Sequence, residues 1–176
     1  MENQKILTIK NKSEEKFLRK RAADFDFSKF TKKEIRELVD KMKKIMKDAN
    51  GIGLSANQIG LDIQMFVAGM PQSASQRNGS PKFYAIFNPK LTKQSSVKSP
   101  MEEGCLSVPE LYGDVERPEK TTLTGFDKNQ KPIKIKAVGL LARIFQHEVD
   151  HLNGVLFVDK AKDVRKHTAG EELGKI

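Results

Sequence analysis

The chain has 176 residues, 38% hydrophobic and 31% charged, with a net charge of +9. That length suits one domain with one core, and the composition excludes a disordered chain. No run approaches the roughly 18 apolar residues of a membrane span.

Residues 1–32 read as an irregular arm with a short helical start. Thr31-Lys32-Lys33-Glu34 is a capping box, and Ile35, Leu38, Val39, Met42, Ile45 and Met46 follow helical spacing as far as Asn50-Gly51. Residues 64–68 read as a strand, and the polar stretch 71–81 as an exposed loop. A second strand over 83–87 is expected to stop at Asn88-Pro89, and another covers 91–98. Residues 104–108 read as short and extended, ended by Pro109. Residues 120–126 and 133–138 alternate around the turn Asp127-Lys128-Asn129-Gln130 and predict a hairpin. A long helix over 139–153 closes the core, with Asn153-Gly154 as its stop and Gly154 left-handed. With no internal repeat or linker, the reading is one α+β domain over 1–176, with a polar tail from about 164. Its mixed or antiparallel sheets wrap around a central metal-binding helix.

The last helix carries His147-Glu148-Val149-Asp150-His151, two of the chain's three histidines. At i and i+4 the imidazoles share one face, one turn apart, where they can bind one metal ion, with Glu148 beside them to act on water. Leu140, Leu141, Ile144, Phe145 and Leu152 surround the motif at helical spacing, so His147 continues an apolar stripe and needs a buried partner. Such a motif fits several metallohydrolase families, and a third ligand decides among them. Phe157 stands where one pattern wants histidine; Asp159 and Asp163 read as a turn and a solvated face, and Glu171 and Glu172 lie in the polar tail. Upstream, Cys105 is the only cysteine, in Glu103-Gly104-Cys105-Leu106-Ser107. Alone it reads as a small buried hydrophobe; with the paired histidines it completes a Cys-His-His site. In Gly51-Ile52-Gly53-Leu54-Ser55-Ala56-Asn57-Gln58, the glycines let another chain approach and Gln58 can donate to an oxyanion; alone, the segment reads as a turn.

Together GIGLSANQ, EGCLSVP and QHEVDHLNG resemble peptide deformylase, whose family carries GxGLAAxQ, EGCLS and QHExDHLxG in this order. The likeness runs from about Ile6 to about Asp163, and Ser55 stands where the family has alanine, a small-for-small change. The resemblance implies hydrolysis of the formamide of N-formyl-methionyl peptides. It implies metal ligands Cys105, His147 and His151, Glu148 as base, and Gln58 with the Leu106 N–H as oxyanion donors. The peptide would lie extended beside Ile52-Gly53 and Gly104. Its methionine pocket would be lined by Ile52, Leu140, Ile144 and His147, with Met101 and Arg143 as further candidates. Glu103 would fix the metal loop, through Arg117, and Tyr112 stands where relatives carry arginine. One divalent ion per chain is implied, Fe(II) in cells, with zinc, nickel or cobalt possible in purified protein.

The expected setting is the cytosol, as a monomer, without membrane or DNA partners. Basic residues concentrate in 10–21, 32–47 and 128–136 and suit weak attraction to ribosomal RNA, although the chain has no RNA-recognition motif. Two other readings are a metallopeptidase, which lacks a downstream ligand here, and a non-catalytic ribosome-associated protein, which has no need of the intact motifs.

Overall fold

A computed structural model describes residues 5–70 and 82–166. The arm carries α1 (Lys12–Leu18), started by Asn11, whose side chain accepts from the N–H groups of Ser13 and Glu14. The predicted capping box is formed at the start of α2 (Lys32–Asp48), which buries Ile35, Val39, Met42 and Met46 along one stripe. The predicted loop over 71–81, and Glu171 and Glu172, lie outside the described residues.

Five antiparallel strands form the larger sheet, in the order β1 (Gly53–Ser55), β2 (Met65–Gly69), β3 (Phe83–Gln94), β6 (Lys120–Phe126), β7 (Pro132–Val138). A smaller sheet holds β4 (Lys98–Cys105), β5 (Val108–Pro118) and β8 (Lys162–Lys166). The α3 helix (Leu140–Leu152) packs against the larger sheet and reaches β5 of the smaller one. Phe66, Ile86, Leu123, Ala137, Ile144 and Phe145 fill the space between α3 and the larger sheet. The opposite face packs Met65, Val67 and Phe87 against α2 and Phe25. Each such buried side chain contributes about 1.5–3 kcal/mol over an exposed one.

Three strands, β3, β5 and β8, depart from the sequence reading. Pro89 does not end a strand; β3 continues to Gln94 through a bulge between Phe87 and Lys90. Asn88 takes a φ of 48° there, and its side chain bonds both backbone groups of Phe25, at 2.7 and 2.9 Å. A bulge requires no ladder N–H, so proline is tolerated. Pro109 likewise lies inside β5, where the pairing jumps from Gly104–Tyr112 to Cys105–Val108 and Glu110 takes a φ of 70°. The strand β5 escapes an alternation reading because these irregularities break its period. The strand β8 is exposed along its whole length, a polar edge that pairs with β5 through the backbone ladder and the Lys162–Glu116 and Arg165–Asp114 ion pairs, so the fold extends three residues past the expected start of the tail.

Candidate metal centre

Helical geometry brings His147 and His151 together: their Nε2 atoms are 3.1 Å apart. The β4–β5 hairpin delivers Cys105 from the other side, with Sγ 3.1 Å from His151 Nε2. All three residues are buried, and their donor atoms lie within 4.8 Å of one another. Two bonds of about 2.05 Å meeting at a tetrahedral angle place their nitrogens roughly 3.3 Å apart. The spacing, burial and chemistry of this donor set therefore fit one shared cation.

Behind the cluster, Glu103 joins the two halves. It accepts from Arg117 Nε at 2.6 Å and Nη2 at 2.9 Å, from Arg143 Nη1 at 3.0 Å, and from His147 Nδ1 at 2.9 Å. The carboxylate fixes the proton on Nδ1 and leaves Nε2 of His147 facing the cluster. Burial alone would raise Glu103, but Arg117 and His147 outweigh it and hold the carboxyl well below the usual range. Burial would also lower His147, yet Cys105 and Glu103 push it up to about 10. His151 goes the other way, driven well below its ordinary value by burial and then by His147 and Arg117. Arg117 also donates to Asp150 at 2.6 Å, which Lys160 meets from outside. Arg143 donates to the Val115 and Ser99 carbonyls at 2.6 and 2.7 Å, tying α3 to both long strands of the smaller sheet.

Glu148 is completely buried, and burial pushes its pKa up to about 7 against the opposing pull of His147 and Ser55. Ser55 Oγ lies 2.5 Å from Glu148 Oε2 and 3.0 Å from its carbonyl oxygen. Glu148 Oε1 has no hydrogen-bond partner among the described residues. A Cβ on Gly53 would lie 2.2 Å from that oxygen, so no other residue fits there without moving the carboxylate. Gln58 accepts from the Ser55 N–H at 2.8 Å, which identifies its amide end. That amide donates to Ser107 Oγ at 3.1 Å and lies 3.7 Å from Cys105 Sγ.

The family model described as polypeptide deformylase matches residues 4–167. This chain belongs to the peptide deformylase family. A peptide deformylase of Psychrobacter arcticus is 42% identical over 143 residues, covering 81% of this chain and 74% of the relative. A solved structure of a probable peptide deformylase from Synechococcus phage S-SSM7 superposes with a TM-score of 0.79 at 38% identity, covering 89% and 99% of the two chains. The Met-Ala-Ser-bound class I type b enzyme of Acinetobacter baumannii gives a TM-score of 0.78 at 29% identity, covering 88% and 96%. Peptide deformylases are metal-dependent hydrolases that remove the N-formyl group from nascent polypeptides, and this chain is an enzyme of that family.

Every deformylase motif read from the sequence meets at this one place. Ile52 and Leu140 are partly buried against the core between α3 and the larger sheet, whereas Ile144 is fully enclosed in that core. Met101 is 36% exposed, and the guanidinium of Arg143, a candidate for the pocket, is engaged by Glu103 and two carbonyls instead. The sequence reading assigns no role to Asp150 or Ser55, and no sequence signal points to either. Arg143 inside the apolar run Leu140–Phe145 signals a buried partner, because a charge on a buried face requires one, and that partner is Glu103.

Proposed function

We propose that this deformylase cleaves the formamide of N-formyl-methionyl peptides with Cys105, His147 and His151 as metal ligands and Glu148 as the proton carrier. The single observation that carries this reading is the convergence of one sulfur and two ring nitrogens beside a buried carboxylate with an unpartnered oxygen. A divalent cation held by the three ligands supplies a Lewis acid that acidifies water and polarises a carbonyl. Glu148 takes the proton from the attacking water and returns it to the leaving amine, so water and formamide become formate and a free amino terminus. Burial raises the Glu148 pKa toward the range that suits this exchange, and the charge of a bound cation acts in the opposite direction.

Gln58 Nε2 and the Leu106 N–H, at the turn between β4 and β5, donate to the developing oxyanion. An extended peptide pairs with backbone at Ile52, Gly53 and Gly104, and such bonds are indifferent to side chains. Ile52 and Leu140 form the apolar wall for the methionine, backed from the core by Ile144, and Glu103 holds the loop that carries Cys105. The Cys-His-His set accepts Fe(II), zinc, nickel or cobalt, with Fe(II) the working metal in cells.

The same reading places the enzyme in the cytoplasm, as a monomer. Weak ribosome attraction is supported by exposed Lys90, Lys93, Lys134 and Lys136 on β3 and β7 of the larger sheet. Co-sedimentation with ribosomes that is lost at high salt would support it.

The deciding measurement is formate release from formyl-Met-Ala-Ser by protein purified without oxygen, with elemental analysis of the same sample. Turnover with one metal per chain is expected, and the Cys105→Ala variant should lose that metal. Unchanged metal content in the variant would remove Cys105 from the ligand set.

A further inference from the structure

Ser55 stands where the family motif has alanine, and it touches both groups assigned to the chemistry. Its hydroxyl lies 2.5 Å from Glu148 Oε2, and its backbone N–H donates to Gln58 Oε1 at 2.8 Å. We propose that Ser55 is a positioning residue that aligns the proton-carrying carboxylate and the oxyanion-binding amide on one short turn. The proposal rests on the deformylase reading of Glu148 and Gln58 given above.

Three features support it. First, Ser55 is fully buried, so its hydroxyl has no access to bulk water and its bonds must be made within the protein. Second, Glu148 is held from two sides. The bare Cα of Gly53 admits Oε1, while the Ser55 hydroxyl takes Oε2. A carboxylate so placed can rotate only by losing the hydroxyl or striking the β1 backbone. Third, the Ser55 hydroxyl lies within hydrogen-bond distance of both the Glu148 side chain and, at 3.0 Å, the Glu148 carbonyl oxygen, so it ties that carboxylate to the backbone of its own helix, which an alanine cannot do.

The backbone half of the device survives substitution, because the N–H to Gln58 belongs to any residue at 55. This separates the two roles. Ser55→Ala and Ser55→Cys remove the strong donor and keep the turn; Ser55→Thr restores a hydroxyl. The assay is formate release from formyl-Met-Ala-Ser by the metal-loaded enzyme, resolved into kcat and KM, with metal content measured on each sample. Ser55→Ala and Ser55→Cys should lower kcat roughly 10-fold, the order expected for one hydrogen bond to a charged group. KM should stay within about twofold and metal content unchanged, since substrate and cation contacts are intact. Ser55→Thr should recover most of kcat. If its extra methyl prevents folding, the Cys variant decides, because it fills nearly the same volume as serine with only a weak donor.

A kcat for both Ser55→Ala and Ser55→Cys within about twofold of the parent would overturn the positioning role while leaving the deformylase reading intact. A parent enzyme that releases no formate would overturn both.

Discussion

The helices α2 and α3 are built on opposite plans. The α2 helix has a solvated face, and its ion pairs, such as Lys33–Glu37 and Lys44–Asp48, lie on that face. Its capping box closes its first turn from within. The α3 helix is buried from Ala142 to Val149, has no side-chain cap at Gly139, and carries Arg143, Gln146, His147, Glu148 and His151 into the interior. Every polar group on α2 can be satisfied locally or by water. Those on α3 find their partners largely on β1, β4 and β5, which is why the site needs both sheets, while Glu148 Oε1 and His151 Nδ1 have none among the described residues. A helix that supports itself gives stability, and one that depends on its neighbours can hold groups in unusual ionisation states. The consequence is that changes to polar groups on α3 and its partners should be costly and changes to polar groups on α2 mild.

The largest effect belongs to Glu148. Replacing it with glutamine keeps the size and the bond to Ser55 but removes the proton carrier, and kcat should fall about 1000-fold. Metal content and urea stability should hold or improve, since a buried carboxylate is removed. Turnover close to the parent's would end its role and weaken the contrast between the helices.

Next comes Arg117, whose head is 3% exposed and joins Glu103 to Asp150. Arg117→Met leaves buried Glu103 with Arg143 and His147 only, and should cost about 3 kcal/mol in urea unfolding of the metal-free protein. It should also weaken metal binding roughly 10-fold, measured by chelator competition, because the carboxylate behind His147 loses its fixed position. A loss below about 1 kcal/mol would mean that the network is as dispensable as a surface pair.

The same contrast explains what the sequence disclosed. Both helices announce themselves by period and by their ends: Thr31 with Glu34 for α2, Asn153-Gly154 for α3, and Gly154 does take a φ of 77°. The pairing of His147 with His151 follows from helical spacing alone. Cys105 could be joined to them by donor chemistry and family likeness but not by spacing, because its place depends on the register of β4 against β5, and register is a long-range property. For the same reason Glu103 was readable as a support for the metal loop, while the second arginine on it was not. The bulges at Asn88 and Glu110 hid two strand continuations, since a single inserted residue reverses the alternation that marks a strand. Ser55 was invisible as a functional residue because Ser and Ala differ little in size, and only the coordinates show what its oxygen meets.

The smallest expected effect is on α2, at Glu34. Its carboxylate accepts from the Thr31 N–H at 2.7 Å and from the Thr31 hydroxyl at 2.8 Å. Bonds from the Thr31 backbone and hydroxyl hold its folded pKa below the ordinary value. A depressed folded pKa means that the unfolded chain takes up the proton first. The stabilisation is therefore complete above the unfolded pKa of about 4.3, and is lost as pH falls through the lower folded value. Glutamine can still close the capping box but does not titrate, so Glu34→Gln is the matched control. Urea midpoints of the two proteins, followed from about pH 7 to about pH 3, should converge as acid removes the advantage of the carboxylate. Formate release at pH 7 should be unaffected, because Glu34 is exposed and belongs to the self-supporting helix. A gap between the midpoints that stays constant across the range would show that the charge of Glu34 contributes nothing to its cap, and that α2 too draws its end stability from elsewhere in the fold.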